Sequence, residues 1–251
     1  MPKISRNTIS NEDAMRYNRH IVLPNIDLGG QESLLNARVL IVGMGGLGNA
    51  AATSLCASGV GEITLVDFDK VDVTNLHRQT LFNETSAGSS KVKAAREQLV
   101  KMNSHCAINA IEEAFSLEHE ALIKRCDIVL DCTDNADSRD LINTLCYANN
   151  TPLVSGAAIR FEGQLFVAIP GKSKCYGCLR KLFTAPDLSC LESGIFSPVA
   201  NIIGTYQAML AMQIMMEFKD IPLNTLLTFD ALTHEWQRWQ LPNNKTCEIC
   251  N

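Results

Sequence analysis

From Arg38 onward, short runs of consecutive apolar residues such as Val39-Leu40-Ile41-Val42 alternate with longer segments whose apolar positions recur every three or four residues. A run that is short and apolar at every position reads as a strand buried on both faces, which a parallel sheet covered by helices provides. In order, "RVLIVGMG" predicts a strand, "GLGNAAATSLCASG" a helix and "EITLVDFD" a strand. The pattern continues with "KVKAAREQLVKMN" as helix, "CAINAIEE" as strand, "LEHEALIKRC" as helix and "DIVLDCTDN" as another buried strand. The alternation predicts an α/β fold built on a doubly wound, mainly parallel sheet.

The flanks differ in texture. Residues 1–36 are polar and helix-compatible, with a Ser/Asn cap and an acidic first turn in "SNEDAMRYNRHIVL", and are expected to form an N-terminal helical arm ahead of a main domain spanning 37–251. Beyond Asn150, "PLVSGAAI" and "EGQLFVAIP" are short β-rich runs joined by Arg160-Phe161, and "TLLTFDAL" and "HEWQRWQL" follow later, so antiparallel C-terminal edge strands are expected on the same sheet. Between them lie a long loop candidate, Gly171 to Pro198, and an apolar helix, Val199 to Met216. Asn201, Thr205, Gln207 and Gln213 interrupt that helix, which therefore reads as buried or interfacial and not as a membrane span.

Composition narrows the classes. A chain of 251 residues with 46% hydrophobic content can bury a large core, and a net charge of −5 disfavours nucleic acid, whose backbone demands concentrated Lys and Arg. No basic, apolar leader opens the chain, so a cytoplasmic protein without a membrane anchor is expected. Its ten cysteines are then expected to be reduced.

The loop "GMGGLG" sits between the first strand and its helix. Gly43 allows the tight turn, Gly45 and Gly46 let backbone approach a phosphate, and Gly48 lets the helix pack close to the strand. Asp67, at the end of the second strand, stands where an acidic residue meets ribose hydroxyls, and Asp69 follows it. On this loop alone, a Rossmann-like NAD site leads. The next segment shifts the balance: Asn75 and Arg78 lie just downstream and Lys91 opens the next helix, a cationic set suited to the phosphates of a triphosphate. The plain alternative is that these are solvated surface charges. Asp134, at the end of the "VLDCTDN" strand, is the candidate Mg²⁺ carboxylate, with Asp131 assigned to capping or bracing.

Two C-x2-C pairs, Cys175/Cys178 and Cys247/Cys250, supply four thiolates in a pairing that tetrahedral Zn²⁺ accepts, the alternative being a redox pair. Four sulfurs leave no open coordination position, so the zinc is expected to be structural. Cys190, in a polar loop, is a candidate nucleophile, whereas Cys56, Cys106, Cys126, Cys132 and Cys146 read as core.

Taken together, "MRYNRHIVL", "RVLIVGMGGLG", "LVDFDKVDVTNLHRQTLF", "VLDCTDN", "SGAAIRFEGQL" and the cysteine pairs resemble the bacterial adenylyltransferases related to ubiquitin-activating enzymes, from about Asp13 to Cys250. The resemblance implies a reaction of ATP with the C-terminal Gly-Gly carboxylate of a small ubiquitin-like sulfur carrier, giving an acyl adenylate and pyrophosphate. It assigns the Gly43–Gly48 loop and Asp67 to the nucleotide, Arg78 and Lys91 to the phosphates and Asp134 to Mg²⁺. Arg19 matches an arginine that reaches the other protomer's nucleotide, which implies a homodimer. Within the family, "SGAAIRFEGQL" and "CLRKLF" resemble the branch serving molybdenum cofactor biosynthesis, whose carrier is the small subunit of molybdopterin synthase; the thiamine branch is the alternative. A separate sulfur donor protein is then expected. Departures are Ser90, where the family commonly has proline, and His77, where Gln or Asn is usual. Cys190 matches a position at which some relatives carry a covalently linked carrier. Two other classes stay open: an NAD-dependent oxidoreductase, and a zinc-stapled module that docks ubiquitin-like proteins without activating them.

Overall fold

The computed structural model describes residues 8–182, 194–242 and 247–250. Eight strands form one sheet: β1 (Arg38–Val42), β2 (Glu62–Val66), β3 (Ala107–Ile111), β4 (Ile128–Asp131), β5 (Leu153–Ile159), β6 (Glu162–Ala168), β7 (Thr225–Asp230) and β8 (Glu235–Gln240). Their spatial order is β3-β2-β1-β4-β5-β6-β7-β8. The first five strands pair in parallel and β6 to β8 add antiparallel, as the change of texture beyond Asn150 predicts.

Both faces of the parallel part are covered, which explains its unbroken apolar runs. Val39 and Ile41 point with Ile63, Leu65, Ile128 and Leu130 into one core, under α4 (Gly46–Ala57), α5 (Lys91–Met102) and α9 (Ser197–Met215). Leu40 and Val42 point the other way, with Val66, Val129 and Phe166, into a second core under α6 (Glu120–Arg125) and α7 (Ala136–Ala148). Successive side chains of one strand thus feed opposite cores. The apolar helix predicted after Pro198 is α9, and it is buried: Gly204 lies against the Leu47 carbonyl, where a Cβ would come within 2.2 Å of the oxygen, and Gly46 meets Ala200 in the same interface. Among the described residues no helix is long and apolar enough to cross a membrane.

Two helices lie where the sequence pattern predicts none. α7 follows Asn135, whose side chain accepts a hydrogen bond from the Ser138 amide as its N-cap. Its polar face obscures the helical period because that face is not turned to water: Asn143 is fully buried there. A short helix, α8 (Tyr176–Arg180), starts inside the long loop candidate, directly after Cys175.

The first described residues form α1 (Asn11–Arg16), α2 (Asn18–Ile21) and α3 (Asp27–Leu35). Tyr17 anchors them: its ring covers Gly59, where any Cβ would come within 2.5 Å of it, and its hydroxyl accepts a hydrogen bond from Asn103 Nδ2 at 2.9 Å.

Candidate active site

The chain leaves β1 toward β2 and β3 on one side and returns to β4 and β5 on the other, so a crevice opens at the carboxyl ends of β1 and β4. The glycine loop turns there. Gly43 has φ +93, and a Cβ on it would sit 2.7 Å from the Cys132 carbonyl oxygen and 3.2 Å from the Thr133 nitrogen. The turn after β1 and the segment after β4 are therefore packed backbone to backbone. Gly45 caps α4 and faces open space, which leaves the helix N-terminus free to meet an anion.

Gly48 has a different reason. Its ideal Cβ lies 2.0 Å from the Gly43 carbonyl oxygen, a backbone atom that cannot move aside. Gly48→Ala is expected to cost at least about 3 kcal/mol, the upper part of the range for overpacking, and to lower the melting temperature by roughly 6–12 °C. Thermal unfolding measures this, and an unchanged melting temperature would contradict the close packing.

Asp67 is buried, and its two oxygens accept hydrogen bonds from the Met44 amide at 2.6 Å and the Asp69 amide at 2.7 Å. Burial raises its pKa, and the Lys91 charge and those amides oppose the rise. The carboxylate holds the glycine turn and keeps acceptor capacity for ribose hydroxyls. Buried Asn49 supports the same turn, donating to the Met44 and Gly45 carbonyls and accepting from the Leu81 amide.

The cations predicted to gather here have defined partners. Arg78 Nη2 donates to Asn75 Oδ1 at 2.6 Å, and the Arg78 side chain lies close to Gly46, whose Cβ would meet its Cγ at 3.6 Å. Lys91, buried at the start of α5, contacts Asp69 Oδ2 at 2.7 Å. Ser90, in the place of the family's proline, caps that helix without a side-chain hydrogen bond. His77 is exposed and its ring contacts the Thr74 carbonyl at 2.9 Å.

Beyond β4, Asp131 braces as expected. Its carboxylate accepts from the Thr133 amide and hydroxyl and from the Ser155 hydroxyl at 2.7 Å. Asp134 is exposed at the mouth of the crevice. Sequence reading missed two groups that hold this end of the sheet: buried Gln207 of α9, donating to the Asp131 and Val154 carbonyls, and half-buried Arg139 of α7, donating to the Thr133 carbonyl at 2.5 Å. Gln207 was visible only as a polar break in an apolar helix. Arg19 lies exposed on α2, and Cys190 falls outside the described residues.

Across the second core from this crevice, the two cysteine pairs converge. Cys175 Sγ lies 3.5 Å from Cys247 Sγ and 3.9 Å from Cys178 Sγ, and Cys178 Sγ lies 3.4 Å from Cys250 Sγ. All four sulfurs fall within 4.8 Å of one another. Tetrahedral bonds of about 2.3 Å require sulfurs about 3.8 Å apart, so the donor set fits a thiolate-bound metal. Burial pushes the Cys175 thiol up to about 11, whereas at Cys247 burial is outweighed by the Cys250 and Ile249 amides, which bring it down to about 6.

A doubly wound sheet with a glycine turn at its switch point, beside a four-cysteine cluster that could hold a metal, is the frame of a nucleotide-binding protein. The chain belongs to the ThiF family, whose model matches residues 17–249. The molybdopterin-synthase adenylyltransferase of Escherichia coli (strain K12) is 43% identical over 244 residues, covering 96% of this chain and 98% of that protein. The adenylyltransferase and sulfurtransferase MOCS3 of Drosophila persimilis is 37% identical over 97% of this chain, which spans 55% of that longer protein. Among solved structures, E. coli MccB with ATP superposes with a TM-score of 0.76 at 25% identity, covering 89% of this chain and 69% of that one.

Proposed function

We propose that this chain is a sulfur-carrier adenylyltransferase of molybdenum cofactor biosynthesis. It joins ATP to the C-terminal Gly-Gly carboxylate of a small ubiquitin-like carrier, the small subunit of molybdopterin synthase. A carboxylate oxygen attacks the α-phosphorus, the bond from that phosphorus to the bridging oxygen breaks, and pyrophosphate leaves with the electron pair. The observation that carries this reading is the position of Arg78 beside Gly46, with Lys91 and Asp69 paired close behind the same glycine turn. Such a step needs alignment and charge neutralisation more than a base. A hydride-transfer site has no comparable use for both cations.

In this reading Gly43, Gly45, Gly46 and Gly48 cradle the phosphates, Asp67 meets the ribose, and Arg78 and Lys91 neutralise the departing pyrophosphate. Asn75 aims Arg78, and Asp69 aims Lys91. Asp134 would hold Mg²⁺, which supplies charge neutralisation at the phosphate oxygens. Cys175, Cys178, Cys247 and Cys250 would hold a structural Zn²⁺, the metal that four thiolates at tetrahedral spacing favour. Arg19 would serve the nucleotide of the other subunit in a homodimer. Its exposure supports this, as does the solvent-facing apolar set Met15, Val22 and Leu23 on the same arm. The sulfur would come from a separate donor protein, and the reaction would take place in the cytoplasm.

Mg²⁺-dependent ATP–pyrophosphate exchange with purified protein, given carriers of the molybdopterin and thiamine types in turn, tests the proposal. Exchange with the molybdopterin-type carrier is the expected result. Exchange with the thiamine type alone would move the protein to the alternative branch, and nicotinamide binding with no exchange would overturn the reaction itself.

A further inference from the structure

We propose that α7 is a strut through which the four-cysteine site holds the Asp134 loop in place, with Asn143 facing the thiolates and Arg139 as the positioning residue at the crevice. The consequence for catalysis rests on the adenylation reading; the mechanical coupling does not.

The helix begins directly at the loop. Asn135, its N-cap, follows Asp134 in the chain, so a shift of α7 along or about its axis moves that carboxylate. On the sheet side, Ile142, Leu145 and Cys146 bury α7 in the core. A second side carries Arg139, Asn143 and Tyr147 at four-residue spacing, which aligns them along one face. Every one of them contacts the segment that bears the first cysteine pair. The Tyr147 hydroxyl donates to the Ser173 carbonyl at 2.7 Å, Asn143 Oδ1 accepts from the Tyr176 amide at 2.8 Å, and the Arg139 guanidinium lies near the Tyr176 side chain. Flanking them, Asp140 pairs with Arg180.

Two observations mark this face as more than packing. Asn143 Nδ2 is buried with no hydrogen-bond partner. It lies on the cysteine side: an ideal Cβ on Gly177 would sit 3.5 Å from Cys175 Sγ and 3.7 Å from Asn143 Nδ2. An amide donor buried beside a sulfur gains most when that sulfur is an anionic metal-bound thiolate, as partners of metal ligands do elsewhere. At the other end, Arg139 Nη2 donates to the Thr133 carbonyl at 2.5 Å and the Gly156 carbonyl at 3.3 Å, fixing the residue before Asp134. The path from metal to crevice runs along one face of α7: Cys175, Asn143, Arg139, Thr133, Asp134.

The test uses the full-length protein, with metal and after chelation, below its unfolding temperature. Amide hydrogen exchange of residues 133–138 is expected to accelerate at least about tenfold on metal removal, and the dissociation constant for Mg·ATP to rise in step. Asn143→Ala, with metal present, is expected to weaken metal retention in chelator competition by about 10–100-fold and to loosen the same amides. Exchange at 133–138 and Mg·ATP affinity both unchanged within twofold after metal removal would overturn the strut and leave the metal a remote staple. Amides that loosen in a protein that binds no Mg·ATP even with its metal would support the strut and refute the adenylation reading instead.

Discussion

Arg78→Ala is expected to lower the turnover of carrier-dependent ATP–pyrophosphate exchange by about 10²–10³-fold, the cost of removing one preorganised charge donor from a developing anion. Arg78 donates to Asn75 Oδ1 and, at 3.4 Å, to the Thr74 carbonyl, both local contacts on the turn that carries it. Neither bridges distant elements, so the fold loses little, and the melting temperature should stay within about 2 °C, because changes away from core packing typically cost about 0.5 kcal/mol or less. A large kinetic loss with an intact fold separates a phosphate-neutralising role from a structural one. Asp134→Ala is expected to behave alike and to raise the Mg²⁺ requirement, since the side chain is exposed at the crevice mouth. Retained exchange in either variant would remove that residue from the proposed mechanism.

Loss of the metal should produce the largest change in stability. Residues 247–250 meet the rest of the chain at the cysteine cluster, where Cys247 and Cys175 are both buried. A metal that clips two segments so far apart in sequence removes loop-closure entropy from the unfolded chain, as a cross-link does. By the chain-entropy estimate for long loops this is about 4 kcal/mol, which corresponds to a fall in melting temperature of roughly 8–16 °C for a chain this long. Scanning calorimetry of the chelated protein and of Cys247→Ser should both give that shift. A metal-free protein with an unchanged melting temperature would refute the clip.

Much of this molecule is written in windows of ten to twenty residues. The strand-turn-helix unit at Val39 to Ala57 announces itself because each of its requirements is local: an apolar run for a strand buried on both faces, Gly43 for a positive φ, Gly48 for a helix that starts against the turn. The same holds for Asp67 at the end of β2, for Asp131 as a brace and for the spacing within each cysteine pair. The switch to antiparallel strands past Asn150 showed as a change of texture in the chain.

Other features had no local signal. The sequence assigns no helix to α7 because its second face is polar and packs on the cysteine segment, not on apolar neighbours. Gln207 looks like an interruption until β4, β5 and α9 are assembled and its partners prove to be carbonyls far away in sequence. Periodicity, turn geometry and ligand spacing are properties of neighbouring residues, so the sequence by itself determined the sheet, the glycine turn and the chemistry of the candidate residues. Which buried polar group meets which distant backbone atom depends on how the elements pack, because a hydrogen bond is decided within a few tenths of an ångström. Only the tertiary structure could therefore set Arg78 beside Gly46, pair Lys91 with Asp69 and join the cysteine site to the crevice through α7.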